Sequence, residues 1–167
     1  MKKILAFLLI TTIASGCGWR LRGSVDSLET IGDVYLQVAT NPLLEQQLKK
    51  TLTNSRAQLS ANKSNAAFKI LVSNIREERR TVAYNSNGSA AEYELRLEML
   101  VMILGSDDKT LASNPISIER SYAFNPDDVL SKNQEERQLK EEMQKMAALQ
   151  IVRQLQAAHR NASVENK

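Results

Sequence analysis

Few residues in this chain could do covalent or proton-transfer chemistry, and they are scattered. Cys17 is the single thiol and His159 the single imidazole among 167 residues. One His and one Cys are too few ligands for a typical His or Cys metal site. Nothing in the sequence brings a Ser and an acid around His159 to activate a nucleophile. His159 reads more simply as a surface or capping group near a helix C-terminus, where a cation suits the dipole. The acid pairs Asp107-Asp108, Asp127-Asp128 and Glu141-Glu142 fall at a turn or along helices, as solvated charges. None of the six glycines belongs to a phosphate-cradling loop. The pattern argues against an enzyme, a metal centre and a cofactor, and for binding or assembly.

The surroundings of Cys17 say more. Met1-Lys2-Lys3 precedes the apolar run Ile4 to Ile13, followed by Ala14-Ser15-Gly16. A basic start, a short apolar stretch and small residues at the cut make a secretory signal over residues 1–16. Spanning a bilayer takes about 20 apolar residues, so the run is too short for an anchor. Cleavage after Gly16 leaves Cys17 first. Ala14-Ser15-Gly16-Cys17 resembles the bacterial lipobox, with Ala14 where Leu is usual, and the resemblance implies lipid attachment at Cys17. Each buried methylene stabilises by ~0.8 kcal/mol and one acyl chain binds only reversibly. The three chains that bacterial lipoproteins carry make the anchor permanent. Gly18 stands where an Asp would favour retention in the inner membrane, which points to the outer membrane. The alternative, an unlipidated secreted protein, would expose an unpaired, oxidisable thiol.

The remaining 151 residues, 17–167, suit one domain with one core. Lys2 and Lys3 are two of the 22 basic residues, so their removal leaves 20 against 19 acidic. That near-neutral balance lacks the electrostatic footprint of a nucleic-acid binder.

Residues 18–32 show no periodicity and read as a tether. From Asp33 to Ala39, Val34, Leu36 and Val38 alternate with Tyr35 and Gln37, as in a half-buried strand. Asn41-Pro42 starts a helix, Asn as N-cap and Pro at the first position. Leu44, Leu48, Leu52 and Leu59 form one stripe, with the helix ending near Ser60 to Asn65. Phe68, Ile70 and Val72 begin a second strand, continued by Arg76-Glu77-Glu78-Arg79-Arg80 towards Tyr84. Asn85-Ser86-Asn87-Gly88 signals a hairpin turn. Glu92 to Leu104 is the clearest strand, with Tyr93, Leu95, Leu97, Met99, Val101 and Ile103 on one face. A fourth strand runs to Phe124, and Pro115 marks it as an edge or a bulge. Asn125-Pro126-Asp127-Asp128 opens a second helix, with a second start and short kink at Ser131 to Gln134. That helix fades near His159 and leaves a frayed tail at 161–167.

The expected fold is therefore α+β, a two-layer sandwich of two helices on one face of a four-stranded mixed sheet, in the order β-α-β-β-β-α, over residues 33–160. The first strand–helix–strand unit makes a parallel pair. In the long hairpin, a two-residue turn would oppose Arg79 to Arg96 and Glu77 to Glu98, like against like. A four-residue loop instead pairs Arg79 with Glu94, Glu77 with Arg96, Val72 with Val101 and Ile70 with Ile103. The expected register is the second. Its charged tip, with Tyr84 and Tyr93, then projects beyond the helices and suits contact with a partner.

Three segments together resemble one family. Cys17-Gly18-Trp19-Arg20-Leu21-Arg22-Gly23, then Asn87-Gly88 with Ala91-Glu92-Tyr93-Glu94-Leu95, then Ser121-Tyr122-Ala123-Phe124-Asn125-Pro126 through Leu130-Ser131-Lys132 to Glu141-Glu142-Met143, are similar to the LPS-assembly lipoprotein (LptE) family. The resemblance implies an outer-membrane lipoprotein that plugs the β-barrel LptD at 1:1, helps it assemble, and binds lipopolysaccharide for delivery to the outer leaflet. It implies partner contact around Tyr84, Asn87, Gly88 and Tyr93. Lipopolysaccharide phosphates favour basic contacts. Lys132 matches a family lysine in the loop before the last helix. The family tip often carries a basic residue beside Asn-Gly; this tip has no charge, and Arg79 or Arg80 would substitute from below. The alternative is an auxiliary lipoprotein of another envelope transport or scaffolding complex.

Overall fold

A computed structural model describes residues 31–165. In chain order it contains β1 (Asp33–Val38), α1 (Pro42–Asn54), β2 (Gln58–Ser60), β3 (Phe68–Tyr84), β4 (Ala90–Gly105), β5 (Thr110–Ala123) and α2 (Val129–Glu165). The expectations for Cys17, the signal and the tether fall largely outside the described residues.

The sheet has five strands in the order β2-β1-β3-β4-β5, not four. β1 runs parallel to β3, and β3, β4 and β5 form an antiparallel meander. The extra strand lies where the leucine spacing predicts the end of α1. Arg56 enters the left-handed region at φ 64°, so the helix stops at Asn54 and Gln58–Ser60 pairs with β1. Leu59 lies at helical spacing from Leu52 but sits in this edge strand, 41% exposed. Pro115 lies in β5, at the opposite edge, where a missing N–H costs no ladder bond.

Both helices pack on the same face. The core joins Leu44, Leu48 and Leu52 of α1, Met143, Ala147, Ile151 and Leu155 of α2, and Val34, Ile70, Leu97, Val101 and Ile103 of the sheet. These sheet positions alternate, so one face is buried. Asn41 caps α1, its Oδ1 accepting from the Leu44 N–H at 2.9 Å. Before α2, a single 3-10 turn, Pro126–Asp128, is capped by Asn125. There is no second start. Ser131 lies within α2 and its hydroxyl donates to Asp128 at 2.7 Å. The helix then runs unbroken past His159 to Glu165.

The hairpin follows the expected register only at its base, where Ile70 faces Ile103 and Val72 faces Val101. Between Ser73 and Arg76 the register shifts by one, with Asn74 left-handed at φ 53°. Beyond this bulge Arg80 faces Glu94 and Glu78 faces Arg96, whereas Arg79 faces Leu95 and Glu77 faces Leu97. The expected pairs Arg79–Glu94 and Glu77–Arg96 are therefore replaced. An extra residue in one strand exchanges its faces, and the bulge turns Glu77 and Arg79 towards the helix side.

Candidate functional site

The bulge makes the site. With Arg79 turned inward, its guanidinium stacks over the Tyr93 ring at 4.6 Å and Nη1 donates to Glu136 Oε2 of α2 at 2.9 Å. Tyr122, on the next strand, donates its hydroxyl to the same oxygen at 2.6 Å. Lys140, one helical turn after Glu136, donates to Oε1 at 2.6 Å. Three donors from β3, β5 and α2 thus converge on one carboxylate. Tyr93 also packs against Phe124, with centroids 5.1 Å apart, and against Tyr122 at 5.8 Å.

The electrostatics follow from this geometry. Burial opposes ionisation of Glu136, but hydrogen bonds from Lys140, Tyr122 and Arg79 outweigh it and hold the carboxyl at about 2. Burial, and then the bond to the Glu136 carboxylate, push the Tyr122 phenol up to about 12.

Beside this cluster lies a cleft of about 400 Å³ between the hairpin and α2, lined by Glu77, Arg79, Leu95, Leu97, Glu136 and Lys140 among others. Glu77 Oε1 accepts from Asn41 Nδ2 at 2.9 Å and from Gln144 Nε2 at 2.7 Å, tying the cap of α1 to α2 through β3.

The residues expected from the sequence separate into distinct places. Arg79 and Tyr93 meet in the cluster. Arg80 points to the opposite face of the sheet and bonds Glu94 at 2.7 Å, which lowers the Glu94 carboxyl. Lys132 is not in a loop. It lies in the first turn of α2, half-buried and paired with Glu135 at 2.8 Å, one turn before Glu136 on the same helix face. Tyr84 is 68% exposed at the tip. Asn87 Oδ1 accepts from the Ser89 N–H at 3.0 Å, and Gly88 takes φ +80°, as this turn requires. Tyr93 is engaged within the chain rather than presented at the tip. Glu136, Tyr122 and Lys140 were not singled out as site residues from the sequence. The spacing Glu136–Lys140 signals a helical ion pair, but nothing local tells which strand residues meet it.

Among the described residues, no group of three or more His, Cys, Asp or Glu could hold a metal ion. No described helix is long and apolar enough to cross a membrane.

The model of the LptE family, whose description is lipopolysaccharide-assembly, matches residues 31–155. The chain belongs to the LptE family. Its similarity to individual LptE proteins extends across nearly its whole length. It is 27% identical to the LPS-assembly lipoprotein LptE of Pectobacterium atrosepticum, covering 95% of this chain and 87% of that protein. It is 30% identical to the LPS-assembly lipoprotein LptE of Yersinia pestis, covering 95% and 76%. The fold matches the solution structure of uncharacterized lipoprotein B from Nitrosomonas europaea, with a TM-score of 0.73, 27% identity, and 90% of this chain and 97% of that one covered. The rare lipoprotein B of Shewanella oneidensis shares the fold, with a TM-score of 0.69 at 20% identity, over 79% of this chain and 99% of that one.

Proposed function

We propose that this LptE-family chain is an outer-membrane lipoprotein, anchored through Cys17, that plugs the LptD β-barrel at 1:1, helps it assemble, and binds lipopolysaccharide for delivery to the outer leaflet. The single observation that carries this reading is the family match over residues 31–155, which takes in β1 to β5 and most of α2. The role is binding and assembly, not catalysis. Tyr84, Asn87 and Gly88 offer the projecting tip to the barrel, and Tyr93 supports it from within. Arg79, Arg80 and Lys132 supply cations for lipopolysaccharide phosphates, where charge-assisted bonds are strongest.

The test is to purify the tagged, acylated protein from detergent-solubilised outer membranes and identify what stays bound. A single large β-barrel at 1:1 is the expected result. A lone monomer, or a complex of inner-membrane or periplasmic proteins, would overturn the plug and favour an auxiliary lipoprotein of another complex. For the ligand, Lys132→Asp is expected to weaken lipopolysaccharide binding without unfolding the chain; equal binding would remove Lys132 from the site.

A further inference from the structure

The carboxylate of Glu136 sits where an anion would bind. Oε2 accepts from Arg79 at 2.9 Å and Tyr122 at 2.6 Å, and Oε1 accepts from Lys140 at 2.6 Å. Two cations and a phenol therefore serve one negative charge. Lys132 lies one turn before Glu136 on the same helix face, its ammonium paired with Glu135 at 2.8 Å. The donors come from two layers, the sheet and α2, so whatever occupies the point between them bridges the layers.

We infer that Arg79, Tyr122 and Lys140, flanked by Lys132, form a phosphate-monoester site for which Glu136 is an exchangeable internal occupant. The inference rests on the lipopolysaccharide reading above, which already holds Arg79 and Lys132, and adds Tyr122, Lys140 and the exchange with Glu136. A phosphate monoester carries about −1.5 to −2 charge at pH 7 and three strong acceptor oxygens, one for each donor. It matches the charge of the donor set better than a single carboxylate. Access is open. The side chains of Arg79 and Lys140 are 47% and 43% exposed. Neighbouring positions of α2, Asn133, Gln134, Glu135, Arg137 and Gln138, are exposed, so the Glu136 side chain has solvent beside it to swing into. The adjoining cleft of about 400 Å³ gives the phosphate and the group that bears it a place to lie. Besides Glu136, two acids line it, Glu77 and Glu78; Glu77 Oε1 already takes two neutral donors, Asn41 and Gln144, and Arg96 lines the cleft with them. The helix need not move, because the phosphate would restore the bridge that Glu136 leaves.

The test uses the full acylated chain in detergent, titrated calorimetrically with lipopolysaccharide, with the same material dephosphorylated, and with inorganic phosphate. Glu136→Gln keeps the shape and removes the competing charge, so it is expected to bind phosphorylated lipopolysaccharide about tenfold tighter. Arg79→Met is expected to bind it at least about tenfold more weakly, and Tyr122→Phe a few-fold more weakly. Dephosphorylated material should not distinguish the variants. If Arg79→Met lowers the melting temperature into the working range, Lys140→Met takes its place. Unchanged or weaker binding by Glu136→Gln overturns the exchange. Lipopolysaccharide binding that is equal across all variants overturns this site and leaves the broader lipopolysaccharide reading standing. Failure of lipopolysaccharide to bind at all, with inorganic phosphate following the variant order, overturns that reading and keeps the site as one for free phosphate.

Discussion

Arg79 Nη1 and Tyr122 Oη meet on the same oxygen of Glu136, at 2.9 and 2.6 Å. They come from β3 and β5, which are not neighbours, since β4 lies between them. The meeting depends on the bulge that turns Arg79 inward and on α2 crossing both strands.

The bulge depends on Asn74. At φ 53° a β-branched residue would be strained, whereas Asn and Gly adopt this conformation readily. Asn74→Val is expected to destabilise the protein by about 1–2 kcal/mol, and Asn74→Gly to change it little. Midpoints of urea unfolding for the two variants measure the difference.

Glu136 makes stability pH-dependent on the acid side. Its folded carboxyl lies at about 2 against an ordinary 4.5, so the charged form is favoured in the fold. The contribution is present in full above about pH 5 and is lost as pH falls through 4.5 towards 2. Screening by solvent limits it to about 1 kcal/mol. Glu136→Gln should flatten that limb of the stability profile, and an unchanged limb would contradict the assignment.

Tyr122 acts on the alkaline side, with the opposite sign. Its phenol is raised to about 12 from 10.0, so the fold favours the neutral form. That contribution holds below pH 10 and is lost as pH rises from 10 through 12. An absorbance titration of the folded protein should show a phenolate phase near pH 12 that Tyr122→Phe removes.

At the far end of the sheet, Lys69 is 2% exposed and pairs with Asp108 at 2.7 Å and with the Ser106 carbonyl at 3.1 Å. Removing one partner of a buried charge costs more than removing the charge itself. Asp108→Asn keeps a side chain that tolerates φ 60° and should lower the melting temperature, because it leaves the buried ammonium without its counter-charge. Lys69→Met should cost less. The reverse order in thermal unfolding would mean that the pair does not hold the β4–β5 turn.

Leu48 is fully buried where α1 meets the core. Leu48→Ala is expected to cost about 2–5 kcal/mol, and chemical denaturation checks it. A cost below 1 kcal/mol would show that α1 is not part of the cooperative core.

Much of the architecture was legible locally. The alternation along β4 predicted its buried face at Leu95, Leu97, Met99, Val101 and Ile103. Asn41-Pro42 marked the start of α1, and the parallel β1–β3 pair followed from the strand–helix–strand order. Two elements depart from the local pattern for opposite reasons. β2 is three residues long, too short to show a period, and Leu59 fell by chance on the helical stripe. The second start expected at Ser131 failed because its hydroxyl had a partner in Asp128. The hairpin register matches the expectation below Asn74, is displaced by one from Arg76 to Thr81, and shifts again near the tip at Ala83. Charge pairing alone could not reveal this, because the shifted register also sets Arg80 against Glu94.

The family resemblance, the two helical stripes and the apolar face of the sheet are legible in the linear order of residues. Those are properties of composition and short-range period, and the chain carries them without folding. Only the tertiary structure decided which basic groups work together. Arg79 and Arg80 are adjacent in sequence and lie on opposite faces of the sheet, while Arg79, Tyr122, Glu136 and Lys140 meet across three elements. One left-handed residue exchanges the faces of the strand positions from Arg76 to Thr81, and its effect on the site is settled by what packs against those faces.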